Sequence, residues 1–123
     1  MRPAPRRTLQ SFRHAARGLR VLVATQRNAR IHIAATLAVL AGGTALRVSA
    51  GEWRWLAGAV AAVWTAEAFN TALEFLADEV SLERRERIRR AKDLGAAAVL
   101  CAALGAASIG VSVLGPRLLA LVR

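Results

Sequence analysis

Glu67-Ala-Phe-Asn70-Thr-Ala-Leu-Glu74-Phe-Leu-Ala-Asp78 continues directly from Trp55-Leu-Ala-Gly-Ala-Val-Ala-Ala-Val-Trp64-Thr-Ala66, a run without a single charge. At about 100° per residue, Asn70, Glu74 and Asp78 fall at about 300°, 340° and 20° from Glu67, so the four polar side chains share an arc of roughly 80°. The uncharged run reads as a membrane span, and the acidic stripe begins inside it. Ionisable groups at such depth are costly and point to function.

The rest of the composition agrees with a membrane class. The chain has 123 residues, enough for one domain, and 55% of them are hydrophobic. Mean hydropathy is +0.36, high for a soluble domain of this size. Apolar residues gather in three blocks, Ile31 to Leu46, Trp55 to Ala77 and Leu94 to Leu114, the first of them short. The fold expected is therefore an all-α membrane protein with three transmembrane helices, at 30–47, 54–77 and 93–115. Residues 1–7, with Pro3 and Pro5, read as disordered. In 8–26, Leu9, Phe12, Ala16, Leu19 and Val23 recur at helical spacing while Arg13, Arg17, Arg20 and Arg27 take other faces, as in a surface helix lying in the membrane interface.

Charge placement sets the orientation. Of the 18 basic residues, eight lie in residues 1–30 and six between Arg84 and Lys92. By the positive-inside rule the N-terminus and the second loop are cytoplasmic, and the first loop and the C-terminus external, as expected in a bacterial inner membrane. The pI of 11.8 then reflects topology and attraction to anionic headgroups. No aromatic-interleaved basic surface accompanies the arginines, so nucleic-acid binding is not expected. Cys101, alone in the third block, reads as a small buried hydrophobe. The first 30 residues lack the apolar core and cleavage site of a secretory signal.

Smaller signals fill in the joints. Ser49 stands three residues before Glu52, the spacing of a helix capping box, and Trp53 and Trp55 occupy the place of an interfacial aromatic belt. Ala106 and Gly110 have the small-xxx-small spacing of close helix packing. Glu79, Glu83 and Glu86 read as solvated partners of neighbouring arginines.

Glu67 and Glu74, seven residues apart, lie about 10.5 Å apart along one helix face. The carboxylate nearer the interface can hold a divalent cation, and the deeper one, desolvated, can take a proton from a hydroxyl. Lys92-Asp93 opens the third span with a cation suited to phosphates. The chain has no Walker A loop, no dinucleotide fingerprint and no protein-kinase signature, so a nucleotide must bind by another route. His14 and His32 do not form a zinc pattern, and His32 reads as an interfacial or packing residue. A non-enzymatic alternative makes the stripe a proton relay or a polar seam in a noncatalytic trimer, with Asn70 and Thr71 bonding between helices. That alternative leaves Lys92 without a role.

From Ser11 to Pro116 the chain resembles the small prokaryotic diacylglycerol kinases, which include the undecaprenol kinases. The resemblance lies in Ser11-Phe-Arg-His-Ala-Ala-Arg-Gly-Leu, Asn28-Ala-Arg-Ile-His, Glu52-Trp53, the stripe itself as E-x-x-N-[ST]-A-x-E-x-x-x-D, and Ala91-Lys-Asp-Leu-Gly-Ala-Ala-Ala-Val. It implies a homotrimeric bundle that phosphorylates a membrane lipid alcohol with ATP and Mg²⁺, its active sites shared between subunits. Undecaprenol is favoured and diacylglycerol comes next, because the Arg-Ile-His stretch and the Glu-Trp turn look more like the undecaprenol branch. By position the resemblance makes Glu67 the catalytic base and Glu74 a metal ligand. Lys92, Asp93, Glu74, Arg7 and His14 would contact ATP, and Asn70 and Asp78 would line the site. Gln26 stands where the family has a second metal-binding Glu, and its carbonyl oxygen offers a weaker ligand.

Overall fold

The structure is a computed structural model that describes residues 5–83 and 85–123, the first three of these by backbone alone. Four helices follow in order: α1 Pro5–Thr25, α2 Arg27–Ala45, α3 Ala50–Val80 and α4 Glu86–Leu121. The fold is all-α, and every helix expected from the periodicity is present. The surface helix starts at Pro5, inside the stretch read as disordered. Proline suits the first helical position, where its missing N–H costs no intrahelical bond.

α3 and α4 form the main packed pair, antiparallel and pinned from Glu52–Arg117 at one end to Asp78–Lys92 at the other. At 1.5 Å per residue they run about 46 and 54 Å, well beyond the ~30 Å hydrocarbon layer. Both contain apolar windows long enough to cross a membrane, with hydropathies of 1.2 and 2.2. α2 does not reach that standard among the described residues. Its first turn carries Asn28, Arg30 and His32, which dilute an otherwise apolar helix of 19 residues. α4 also runs through Pro116 to Leu121, past the expected end of the third span.

The apolar side chains point mostly outward. Leu9, Phe12, Leu37, Phe69, Leu94, Leu104 and Val111 are each at least 60% exposed. A helix bundle with so little of its apolar surface covered belongs in lipid or against other subunits, not in water. The compact core that does form lies at the α2–α3 turn, where Val48, Leu56 and Val113 are buried with Val39, Trp53, Ile109 and Leu114 around them.

Local chemistry explains the joints. Gln26 alone separates α1 from α2, in extended backbone at φ −101° and ψ 124°. Ala29, fully buried, lets the helices meet closely at that corner. Between α2 and α3, Arg47 takes a left-handed φ of 52°. The capping box forms as read: Ser49 Oγ accepts from Glu52 N–H and Glu52 Oε2 accepts from Ser49 N–H at 2.7 Å. Trp53 departs from its aromatic-belt reading. Its ring lies over Gly43, where an added Cβ would come within 2.5 Å of it, so Trp53 packs the turn while Trp55, 67% exposed, keeps the belt position.

Candidate active site

The stripe on α3 descends from surface to interior. Asp78 is half exposed and Glu74 half-buried, while Asn70 and Glu67 are 8% and 1% exposed. Its neighbour Thr71 is also buried. A helix placing one polar residue per turn, each deeper than the last, makes an inlet from the aqueous edge to a desolvated carboxylate.

Four side-chain atoms in this region are buried without a hydrogen-bond partner: His32 Nε2, Glu67 Oε2, Asn70 Oδ1 and Thr71 Oγ1. Native proteins rarely leave such groups unpaired, and a cluster of them marks a place where substrate or ions complete the bonding. His32 Nε2 approaches Glu67 Oε2 to 3.7 Å, close enough for attraction and too long for a hydrogen bond.

Asn70 Nδ2 donates to Glu74 Oε1 at 3.2 Å. Its other end faces Gly95 on α4 so closely that a Cβ there would collide with Asn70 Oδ1. Such backbone approach across a glycine suits membrane helices, where a Cα–H contact gives a carbonyl oxygen weak satisfaction. Asn70 thus steers Glu74 and locks α3 to α4 at once.

At the mouth, Lys92 Nζ donates to Asp78 Oδ1 at 2.5 Å. Both side chains are more than a third exposed, so the pair contributes little to stability and can open for an incoming anion. Beside it, Arg89 bonds Glu86 through Nε and Nη2 and Asp93 through Nη1, and Arg90 also bonds Glu86. Arg89, then Arg90, holds the Glu86 carboxyl below its usual range, and Glu86 raises Arg89 in return.

The expected site residues are therefore partly assembled. Glu67, Asn70, Glu74 and Asp78 follow one face of α3; Asn70 and Asp78 meet Gly95 and Lys92 of α4, Glu67 faces His32 of α2, and Asp93 turns to Arg89. His14 borders a groove of about 370 Å³ with Arg17, Gly18, Phe75 and the unpaired Thr71. Gln26 donates to Thr25 Oγ1 at 3.5 Å from the α1–α2 joint. The Arg7 side chain lies outside the described residues. From sequence His32 reads as an interfacial or packing residue, although it is an ionisable group two residues into an apolar run and so carries the same cost that singled out Glu67.

At the seam the Glu74 carboxylate is the hard oxygen donor that fits a magnesium ion, since Asn70 turns its Nδ2 to Glu74 and its Oδ1 to Gly95. Among the described residues no three His, Cys, Asp or Glu side chains converge. That sparse set suits Mg²⁺, which is usually held by one or two carboxylates with phosphates and water completing the shell.

Comparison with known proteins places these features in context. A family model described as prokaryotic diacylglycerol kinase matches residues 13–114. An undecaprenol kinase of Bacillus subtilis is 33% identical over 112 residues, covering 91% of each chain. A diacylglycerol kinase of Synechocystis is 40% identical over 114 residues, covering 92% of this chain and 65% of that longer protein.

Proposed function

Because this chain belongs to the prokaryotic diacylglycerol kinase family of ATP-using membrane lipid kinases, we propose that it phosphorylates the primary hydroxyl of undecaprenol, with diacylglycerol as the next candidate. The buried, unpartnered Glu67 carries the reading. Its carboxylate lies at the dry end of the inlet with Oε2 unpartnered, placed to accept a hydroxyl proton arriving with the substrate.

The remaining residues align and neutralise, which is most of what phosphoryl transfer asks of a protein. Lys92 leaves Asp78 for a phosphate oxygen, and Asp93, His14 and Arg7 complete the nucleotide contacts. Asn70 keeps the Glu74 carboxylate turned along the seam. Glu74 would hold Mg²⁺, with Gln26 adding a carbonyl oxygen, and the bound ion would supply charge neutralisation at the phosphates. The preference for undecaprenol rests on the likeness of Arg30-Ile31-His32 and of the Glu52-Trp53 turn to the undecaprenol branch. The two named relatives divide evenly between the lipids.

Three spans, with the N-terminus and the α3–α4 loop cytoplasmic, follow from the placement of arginine. A homotrimer accounts for the uncovered apolar faces of α3 and α4 and lets a neighbouring subunit close the inlet. The proton-relay alternative gives no use to Lys92, and the polar-seam alternative uses it only for its bond to Asp78.

The test is phosphate transfer from radiolabelled ATP by the purified chain, offered undecaprenol and diacylglycerol separately in the same mixed micelles. Undecaprenol should be the faster acceptor by about tenfold or more, the discrimination that differing apolar contacts readily produce. Equal or reversed rates would remove the undecaprenol preference, and labelling of neither lipid would remove the proposed reaction.

A further inference from the structure

His32 has no part in the reaction as set out above, yet it is the most firmly held side chain near Glu67. Its ring meets Trp64 edge-on, with centroids 6.2 Å apart and planes at 63°. Trp64 Nε1 donates to Thr36 Oγ1 at 3.0 Å, and Thr36 Oγ1 donates to the His32 carbonyl at 2.7 Å. These contacts close a circuit between α2 and α3 that fixes both backbone and ring of the histidine. At its end, Nε2 is aimed at Glu67 Oε2, 3.7 Å away, and neither atom has another partner.

Among the described residues no other charged group is shown paired with the ring. From α3 the charged neighbour is Glu67. From α4 the cavity beside the ring is lined by Ala103, Ala106, Ala107 and Gly110, which carry no charge. On α2 itself Arg30 reaches back to the Ala24 carbonyl, and on α1 His14 and Arg17 face the separate groove beside Thr71. A ring held edge-on by Trp64, on backbone bonded to Thr36, and aimed at one carboxylate oxygen in an apolar surrounding is placed to act on that oxygen.

We propose that His32 is the positioning residue for Glu67: as its Nε2–H tautomer it donates to Oε2 and leaves the other carboxylate oxygen for the substrate hydroxyl. The inference rests on Glu67 being the base. The present gap exceeds a hydrogen bond by about 0.7 Å, and catalytic contacts are often this loose before substrate binds and shorten when it does. Once closed, an N–H to carboxylate bond in a dry site is strong and directional, so it fixes the base in one rotamer at the moment of reaction.

The experiment combines turnover with imidazole nitrogen NMR on the full chain. His14 and His32 are the chain's two histidines, and the signal lost in His32→Gln assigns the second. Glu67→Gln should shift the His32 Nε2 resonance, whereas Glu74→Gln should leave it in place. His32→Ala should lower kcat about 10- to 100-fold with KM for ATP unchanged, the usual cost of losing a group that orients a ligand or base. His32→Gln keeps an amide N–H within similar reach and should recover turnover to within about threefold of the parent. An unshifted His32 signal in Glu67→Gln, or His32→Gln as impaired as His32→Ala, overturns the proposal while leaving Glu67 as the base. Full turnover in Glu67→Gln removes the base, and with it the positioning role.

Discussion

Leu56 and Glu67 are the two largest side chains buried almost completely, at 2% and 1% exposure, and they sit three turns apart on one helix. Around Leu56 everything is finished. Val48 and Val113 pack against it, and one turn away Glu52 uses both carboxylate oxygens on Arg117 while closing the capping box with Ser49. Around Glu67 four buried polar atoms wait without partners. The same helix thus has one end that spends its polar groups on holding the fold and another that keeps them open. Burial alone does not separate the two roles, but completeness of hydrogen bonding does.

The largest effect should come from breaking the unfinished end. Glu67→Gln should lower turnover about 10²-fold or more, the scale of lost general-base help. Thermal unfolding in detergent should be unchanged or improved, since Glu67 Oε2 makes no hydrogen bond that the same-shaped amide would lose. Near-normal turnover would remove Glu67 from the role of base, and strong destabilisation would show that it serves the fold.

Two glycines sharpen the contrast because each faces a side chain across a helix pair. A Cβ at Gly43 strikes the ring of Trp53, and one at Gly95 strikes Asn70 Oδ1. Gly43→Ala should cost about 1–3 kcal/mol of stability, as overpacking usually does, with turnover per folded molecule retained. Gly95→Ala should push Asn70 off Glu74 and reduce turnover roughly tenfold, a misplacement effect. Equal losses of stability with no loss of turnover in either variant would erase the distinction.

A smaller effect follows from acid. Arg117 first, and then Ser49, hold the Glu52 carboxyl down to about 2, against 4.5 for a free side chain. Glu52 precedes the apolar run of α3, so it is accessible to protons. A carboxyl depressed in the folded state stabilises fully above its unfolded value and loses that contribution as pH falls through its folded one. Unfolding temperature should therefore decline between about pH 4.5 and pH 2, and Arg117→Ala should lower it at neutral pH and flatten that decline. An unaltered pH profile in Arg117→Ala would mean that the clasp does not hold this end.

The smallest change is expected at Gln26. Gln26→Glu should lower the Mg²⁺ concentration for half-maximal turnover a few-fold, since a carboxylate binds a hard cation better than an amide. An unchanged requirement at saturating ATP would place Gln26 away from the metal.

What the sequence revealed about these two ends was whatever lies within one helix. The stripe, the capping box and the surface helix are patterns of period or spacing, and each could be read before any packing was known. The contacts that give the stripe its chemistry cross between helices: Asp78 to Lys92 over 14 positions, Glu52 to Arg117 over 65, His32 to Glu67. Periodicity fixes which residues share a face and leaves the rotation of one helix against another undetermined. Trp53 shows the same limit. Its place at a span's edge suggested a belt, and only the arrival of Gly43 beneath its ring made it part of the core. Asp93 shows it in reverse, since adjacency to Lys92 in sequence put the two on different faces of α4.

The joint at Gln26 has a mechanical meaning. A single residue connects α1 to α2, its N–H already bonded to the Leu22 carbonyl at 2.9 Å, with the buried Ala29 wedged beneath. So short a connection gives the two helices little freedom to tilt independently. His32 stands less than two turns beyond that elbow, so with α1 in its proposed interfacial place the depth of Leu9, Phe12 and Leu19 would be passed along a bent rod to the ring beside Glu67. Bilayer thickness and headgroup charge would then become inputs to the geometry of a carboxylate they never touch.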